Sequence, residues 1–88
     1  MDYEKIIHAF VDSFVENPDS MIIRQMPSES EKDVVLLIVS DASDTARLIG
    51  RKGSVADALR EVMSIAGKLE SKRIHLKFEA FEDEKDED

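Results

Sequence analysis

Cysteine is absent from this 88-residue chain, histidine occurs only twice, and no apolar run is longer than Val34-Val35-Leu36-Leu37-Ile38-Val39. Each shortage removes a class of function. Without thiols there is no disulfide framework and no thiolate metal site, and nothing argues for an oxidising compartment. Two histidines, His8 and His75, give a histidine-based metal site little to work with. No cysteine, no histidine near a serine and no glycine-rich nucleotide-binding pattern behind a strand are present, so an enzyme is not expected. No catalytic residue, metal, cofactor or small-molecule substrate is expected either. The apolar runs are too short to span a membrane, and the N-terminal residues alternate charge with apolar side chains, unlike a signal peptide. A cytoplasmic protein without membrane contact is the expectation.

What the chain has in quantity is charge, with a net value of −8. That sign opposes nucleic-acid binding, whose usual footprint is basic. The distribution is uneven, however. Residues 1–46 hold three cations against ten acids, and residues 78–88 hold Lys85 against seven acids. Between them, residues 47–77 hold eight cations against Asp57, Glu61 and Glu70. At physiological salt the screening length is about 8 Å, so a docked phosphate feels the local patch more than the global sum.

The patch centres on Leu48-Ile49-Gly50-Arg51-Lys52-Gly53-Ser54-Val55. An apolar pair enters a two-glycine loop with two adjacent cations at its tip, and a helical pattern starts directly behind it. Gly50 and Gly53 allow left-handed backbone angles and close approach of another backbone. Ser54 is expected as the N-cap of the following helix, with Asp57 reaching back to the free amides. The first turn of a helix offers unpaired N–H groups and partial positive charge, which suits phosphate. The bare reading is an anion-binding loop between two helices, weighed against a merely solvated pair of loop charges.

Around the loop the periodicities are clear. Tyr3, Ile6, Ile7, Phe10, Val11, Phe14 and Val15 predict a first helix, ended by Asn17-Pro18. His8 reads as an ordinary, partly exposed histidine beside that stripe. Ser20 to Met26 predicts an edge strand, and residues 34–39 a central strand with half its run facing away from the helices. Asp44 to Ile49 predicts a short helix. In the helix after the loop, Val55, Ala58, Leu59, Val62, Ile65 and Ala66 are expected to face inward with Met63 at one side, before Gly67 stops or weakens it. That apolar arc is broader than one sheet contact requires, so one edge of it is a candidate partner surface. Arg73 to Glu79 alternates strictly, which turns Ile74, Leu76 and Phe78 inward and Arg73, His75 and Lys77 outward. The order is α-β-β-α-α-β. It predicts an α+β fold with a three-stranded mixed sheet and three helices on one face, closed by a right-handed crossover. One domain over residues 1–80 precedes a disordered acidic tail over 81–88.

The motif Ile49-Gly50-Arg51-Lys52-Gly53-Ser54-Val55, with Asp44 and Arg47 upstream, resembles the Ile-Gly-x-x-Gly signature of the KH domain. Over roughly residues 3 to 79 the chain is similar to the small bacterial single-KH RNA-binding proteins of the KhpA type. The resemblance implies the type II KH fold and a single-stranded RNA partner whose backbone lies on the two-glycine loop. On this chain it implies an RNA-binding set of Arg47, Ile49, Gly50, Arg51, Lys52, Gly53, Ser54 and Val55, with Ala58 extending the apolar floor. It further implies RNA chaperoning, and association either as a homodimer or with a larger multidomain KH-containing RNA-binding protein. Ala46, Ser54 and Asp57 depart from the glycine, basic residue and lysine common in that family. Tyr3, Phe10, Phe14, Phe78 and Phe81 all lie far from the loop in sequence. Both facts predict weak, sequence-tolerant binding that strengthens through dimerisation or a partner. The alternative is a protein-interaction module with the same fold that binds little or no nucleic acid.

Overall fold

A computed structural model describes residues 1–81. Its elements are α1 (Tyr3–Val11), β1 (Ile22–Met26), β2 (Asp33–Ser40), α2 (Ala42–Ile49), α3 (Ser54–Leu69) and β3 (Arg73–Ala80), with 3-10 turns at Pro18–Ser20 and Arg51–Gly53. The expected α-β-β-α-α-β order is borne out. The expected tail falls outside the described residues, apart from Phe81, whose N–H donates to the Ser40 carbonyl.

The sheet runs β1-β2-β3, with β1 antiparallel and β3 parallel to β2. Ile38 pairs with Ile23 on one side and Phe78 on the other. The two-residue period of a strand then sorts the side chains. Val34, Leu36, Ile38 and Ser40 are buried under the helices, while Val35, Leu37 and Val39 are half-buried on the outer face. The parallel pairing requires a crossover, which α2 and α3 supply. Ile7, Val11, Ile38, Leu48, Leu59 and Met63 are fully buried, and they lock all three helices to the sheet.

Four local expectations are corrected. The first helix stops at Val11 rather than running on toward Asn17-Pro18. The amides of Glu16 and Asn17 instead donate to the two carboxylate oxygens of Asp44, each at 2.9 Å. The competing carboxylate turns this segment out of the helix and leaves Phe14 exposed beside Phe10. The second helix begins at Ala42, because Asp41 is its N-cap and accepts from the Asp44 amide at 2.7 Å.

In α3 the buried residues are Ala56, Leu59, Met63, Ala66 and Gly67, whereas Ala58 and Ile65 are exposed. The inward face is thus rotated from the expected one, since the broad apolar arc fits two frames. Gly67 does not end the helix, which runs to Leu69. A Cβ there would lie 2.6 Å from the Lys72 carbonyl oxygen and 2.7 Å from Ile74 Cγ1, so this position is small to let β3 pack close.

Candidate nucleic-acid interface

The loop is made by backbone geometry before any side chain acts. Gly50 caps α2 at φ 77°, its N–H donating to the Ala46 carbonyl at 2.9 Å. A Cβ on Gly50 would sit 2.5 Å from Val55 Cγ2, so half-buried Val55 packs directly on this backbone. The Gly53 N–H then donates to the Gly50 carbonyl at 3.1 Å, closing a 3-10 turn. Inside it Lys52 is left-handed (φ 54°, ψ 28°), and Gly53 follows at φ 78°. A lysine in this region is strained by roughly 1–2 kcal/mol, a conformation that persists only where the surroundings enforce it. Gly50 to Gly53 therefore breaks the helix sharply between α2 and α3.

The cap differs from the expected one. Gly53, not Ser54, is the N-cap of α3, and no side chain bonds to the helix start. Ser54 is already helical, because the left-handed pair ahead of it places the half-helical position on the glycine. Asp57 points away, 3.6 Å from Arg60 and mostly exposed. The first amides of α3 are left without a competing carboxylate cap.

Charge at the loop is sorted by what each cation touches. Arg51 and Lys52 are exposed and make no ion pair among the described residues. Arg47, nearly one turn before Gly50, is committed elsewhere. Its guanidinium bonds Asp44 Oδ1 at 2.9 Å and Ser43 Oγ at 2.7 Å and lies 3.5 Å from Glu16. Asp44 is 1% exposed. The Glu16 amide, then the Asn17 amide and Arg47, hold its carboxyl below the usual range against the opposing effect of burial. At the far end of the sheet Arg73 is likewise taken, by Asp33 at 2.8 and 3.1 Å. Fold and ion pairing together leave the two loop cations as the uncompensated pair on one tight turn. Ile49 is 39% exposed beside them.

Phe78, far from the loop in sequence, packs against the helix that follows the loop. β3 is an edge strand; the Arg73 N–H donates to the Lys32 carbonyl just before β2, and the N–H of Phe81, just past β3, donates to the Ser40 carbonyl. By the period of the ladder, the N–H and C=O of Ile74, Leu76, Phe78 and Ala80 face the free edge. The crossover places Phe78 beneath α3, with the Arg60 guanidinium carbon 5.5 Å from its ring centroid. No local sequence signal links Arg60 to Phe78; only the parallel register could have found the pair. Val55 is on a different flank of α3 from Arg60, and Ala58 is nearly opposite it, about 160° round the helix.

The comparison with known proteins decides the relationship. The family model of the KhpA/KhpB KH domain matches residues 4–78. The chain belongs to that family. Its relatives within the KhpA/KhpB family include the RNA-binding protein KhpA of Bacillus subtilis, 33% identical over 79 residues, covering 90% of this chain and 93% of the relative. KhpA of Aquifex aeolicus is 30% identical over 71 residues, covering 81% and 87%, and KhpA of Listeria monocytogenes is 27% identical over 73 residues, covering 83% and 93%. No solved structure gives a significant match. The resemblance carried by Ile49 to Val55 and the type II KH architecture expected from it are both borne out, and the KhpA/KhpB domain accounts for nearly all of the described chain. Among the described residues no helix is long and apolar enough to cross a membrane.

Proposed function

We propose that this protein binds single-stranded RNA, gripping the sugar-phosphate backbone with the Gly50-Arg51-Lys52-Gly53 turn, and that it acts in the cytoplasm as an RNA chaperone or post-transcriptional regulator rather than as an enzyme. One observation carries the reading: a left-handed, glycine-bounded turn presents two cations without acidic partners at the open start of α3. The relatives named RNA-binding protein KhpA support it. Arg51 and Lys52 contact phosphate. Gly50 and Gly53 keep Cβ atoms out of the strand's path. Ile49 and Val55 supply apolar surface, and Ser54 offers its hydroxyl. Arg47 has a supporting part, since its ion pairs with Asp44 and Glu16 already offset its charge.

Self-association, or pairing with a larger KH-containing protein, is the second half of the proposal. Ala58, Val62, Ile65 and Leu69 recur at alternating four- and three-residue steps, the spacing of a helix–helix seam. Ile65 is 61% and Leu69 75% exposed, large apolar side chains that gain from a partner. This stripe and Arg60 lie on different flanks of α3, so an α3-mediated dimer leaves the loop open and brings two weak RNA sites together.

The deciding measurement is the salt dependence of affinity for a short single-stranded RNA. Two phosphate contacts predict a log–log slope of about −1.4, and Lys52→Asp should weaken binding at every salt concentration. A slope near zero, or unchanged binding by Lys52→Asp, would leave only the interaction module.

A further inference from the structure

The helix α3 and the strand β3 run in opposite directions, and two contacts set their alignment. A Cβ on Gly67 would stand 2.7 Å from Ile74 Cγ1, and the Arg60 guanidinium carbon lies 5.5 Å from the Phe78 ring centroid. Four residues along β3, about 13 Å, thus match seven back along α3, roughly 10 Å. Ala80, the last residue of β3, is therefore level with the first turn of α3. Thr45 Oγ1 of α2 lies 3.5 Å from the Glu79 carbonyl oxygen, and the Phe81 N–H donates to the Ser40 carbonyl at 2.9 Å. The chain leaves the sheet at the end that carries the two-glycine turn.

What leaves there is Glu82-Asp83-Glu84-Lys85-Asp86-Glu87-Asp88, six carboxylates against one lysine. These residues lie outside the described part of the chain. Fully extended, seven residues reach about 23 Å, roughly twice the width of a helix. Within that reach Arg51 and Lys52 are exposed and meet no acid among the described residues, and no side chain caps α3. Arg47, Arg60 and Arg73 already have acidic neighbours. Arg24 and Lys77, on the outer face of the sheet, stand on either side of Leu37 and are two strand spacings, about 10 Å, apart. Only the loop offers two adjacent unpaired cations at the start of a helix.

We propose that residues 82–88 fold back over Gly50 to Gly53 and hold Arg51 and Lys52 with their carboxylates, an autoinhibitory contact that an RNA strand must displace. This rests on the RNA-binding reading above and adds a regulator of the same site. Carboxylate and phosphate oxygens compete there for the same donors, the two side chains and the uncapped amides of α3. Because the stretch is tethered, its effective concentration at the loop is on the order of millimolar. A single phosphate does not displace it, whereas a strand that engages several donors at once does.

The test starts from an 88-residue variant in which Glu82→Gln, Asp83→Asn, Glu84→Gln, Asp86→Asn, Glu87→Gln and Asp88→Asn neutralise the stretch. By anisotropy at low salt it should bind a labelled short single-stranded RNA roughly 3- to 10-fold more tightly than the wild type, the factor for a loop covered about 70–90% of the time. Losing six negative charges also weakens the repulsive field of the whole chain, so the contact is measured separately. The chain has no cysteine, and Asp86→Cys gives one attachment point for a spin label. At low salt without RNA, the label should broaden the NMR amide signals of Gly50 to Ser54. Salt at about 1 M, which screens charge within roughly 3 Å, should restore them, and so should an unlabelled single-stranded RNA. Broadening confined to the surroundings of Arg24 and Lys77, or none at all, overturns the proposal whatever the affinities. Equal RNA affinity of wild type and neutralised variant overturns the regulation and spares the RNA-binding reading. Failure of both proteins to bind RNA overturns the two together.

Discussion

At Gly50 two constraints coincide: a backbone angle of 77° and a neighbour, Val55 Cγ2, only 2.5 Å from where a Cβ would stand. Gly53 has the same angle, 78°, but open space around it. Alanine should therefore cost about 1 kcal/mol at Gly53, where only the left-handed backbone penalises it. At Gly50 the cost should be about 2–4 kcal/mol, because Val55 or the turn must move as well. Urea titration of both variants checks the ranking, and an equal or reversed order would refute the close packing of Val55. Asp44 poses the opposite case, a buried carboxylate whose role is to receive two backbone N–H groups and one guanidinium. Asp44→Ala strands those amides. It should lower the melting temperature by roughly 5–15 °C, read by calorimetry, while Asp57→Ala, which is exposed, should hardly change it.

Among the elements, α3 does the most, and its inward face is the least legible from its own residues. Its apolar positions fit two inward frames, and packing against β3 selected the one through Ala56, Leu59 and Met63. The residues left out of that choice form the stripe through Ile65 and Leu69. Ile65→Glu should shift a dimer toward monomer in sedimentation velocity while leaving the folded monomer intact, since the side chain is already 61% exposed. Unchanged sedimentation would remove this flank as the seam. β3, by contrast, was legible from its alternation, because one face against a core and one against water impose a strict two-residue period. The loop was legible too, as two glycines about two cations. The N-cap falls on Gly53 rather than Ser54 because Lys52 also turns left-handed, a backbone choice no propensity for lysine would indicate.

For the molecule as a whole, the net charge of −8 makes acid the informative perturbation. Asp33 is held well below the ordinary carboxyl range by hydrogen bonds from Arg73 and His75, and Asp44 is held below it by the Glu16 and Asn17 amides and Arg47. A carboxyl whose folded pKa is depressed releases its proton more readily in the native state than in the unfolded chain. Its contribution is complete above the unfolded value of about 3.9 and is lost as pH falls through the folded one. Melting temperature should therefore fall below about pH 4, and Asp33→Asn and Asp44→Asn together should flatten that fall. Thermal melts across pH 2–6 would show it, and an unaltered acid slope in the double variant would mean these two groups do not set it. The same negative field should slow RNA association, so that binding is assisted by the local patch against the sign of the whole.

By itself the sequence determined the order of elements, the inward face of β3, the central place of β2 and the two-glycine loop with its cations. Those features follow from local rules: side-chain period, glycine's backbone freedom and the short range of screened charge. Only the tertiary structure decided which flank of α3 is free, that Arg47 is tied to Asp44 and Glu16, and that Arg60 meets Phe78. Each of these depends on parts of the chain that become neighbours only when burying the core forces the crossover to close, and no local pattern of residues encodes that distance.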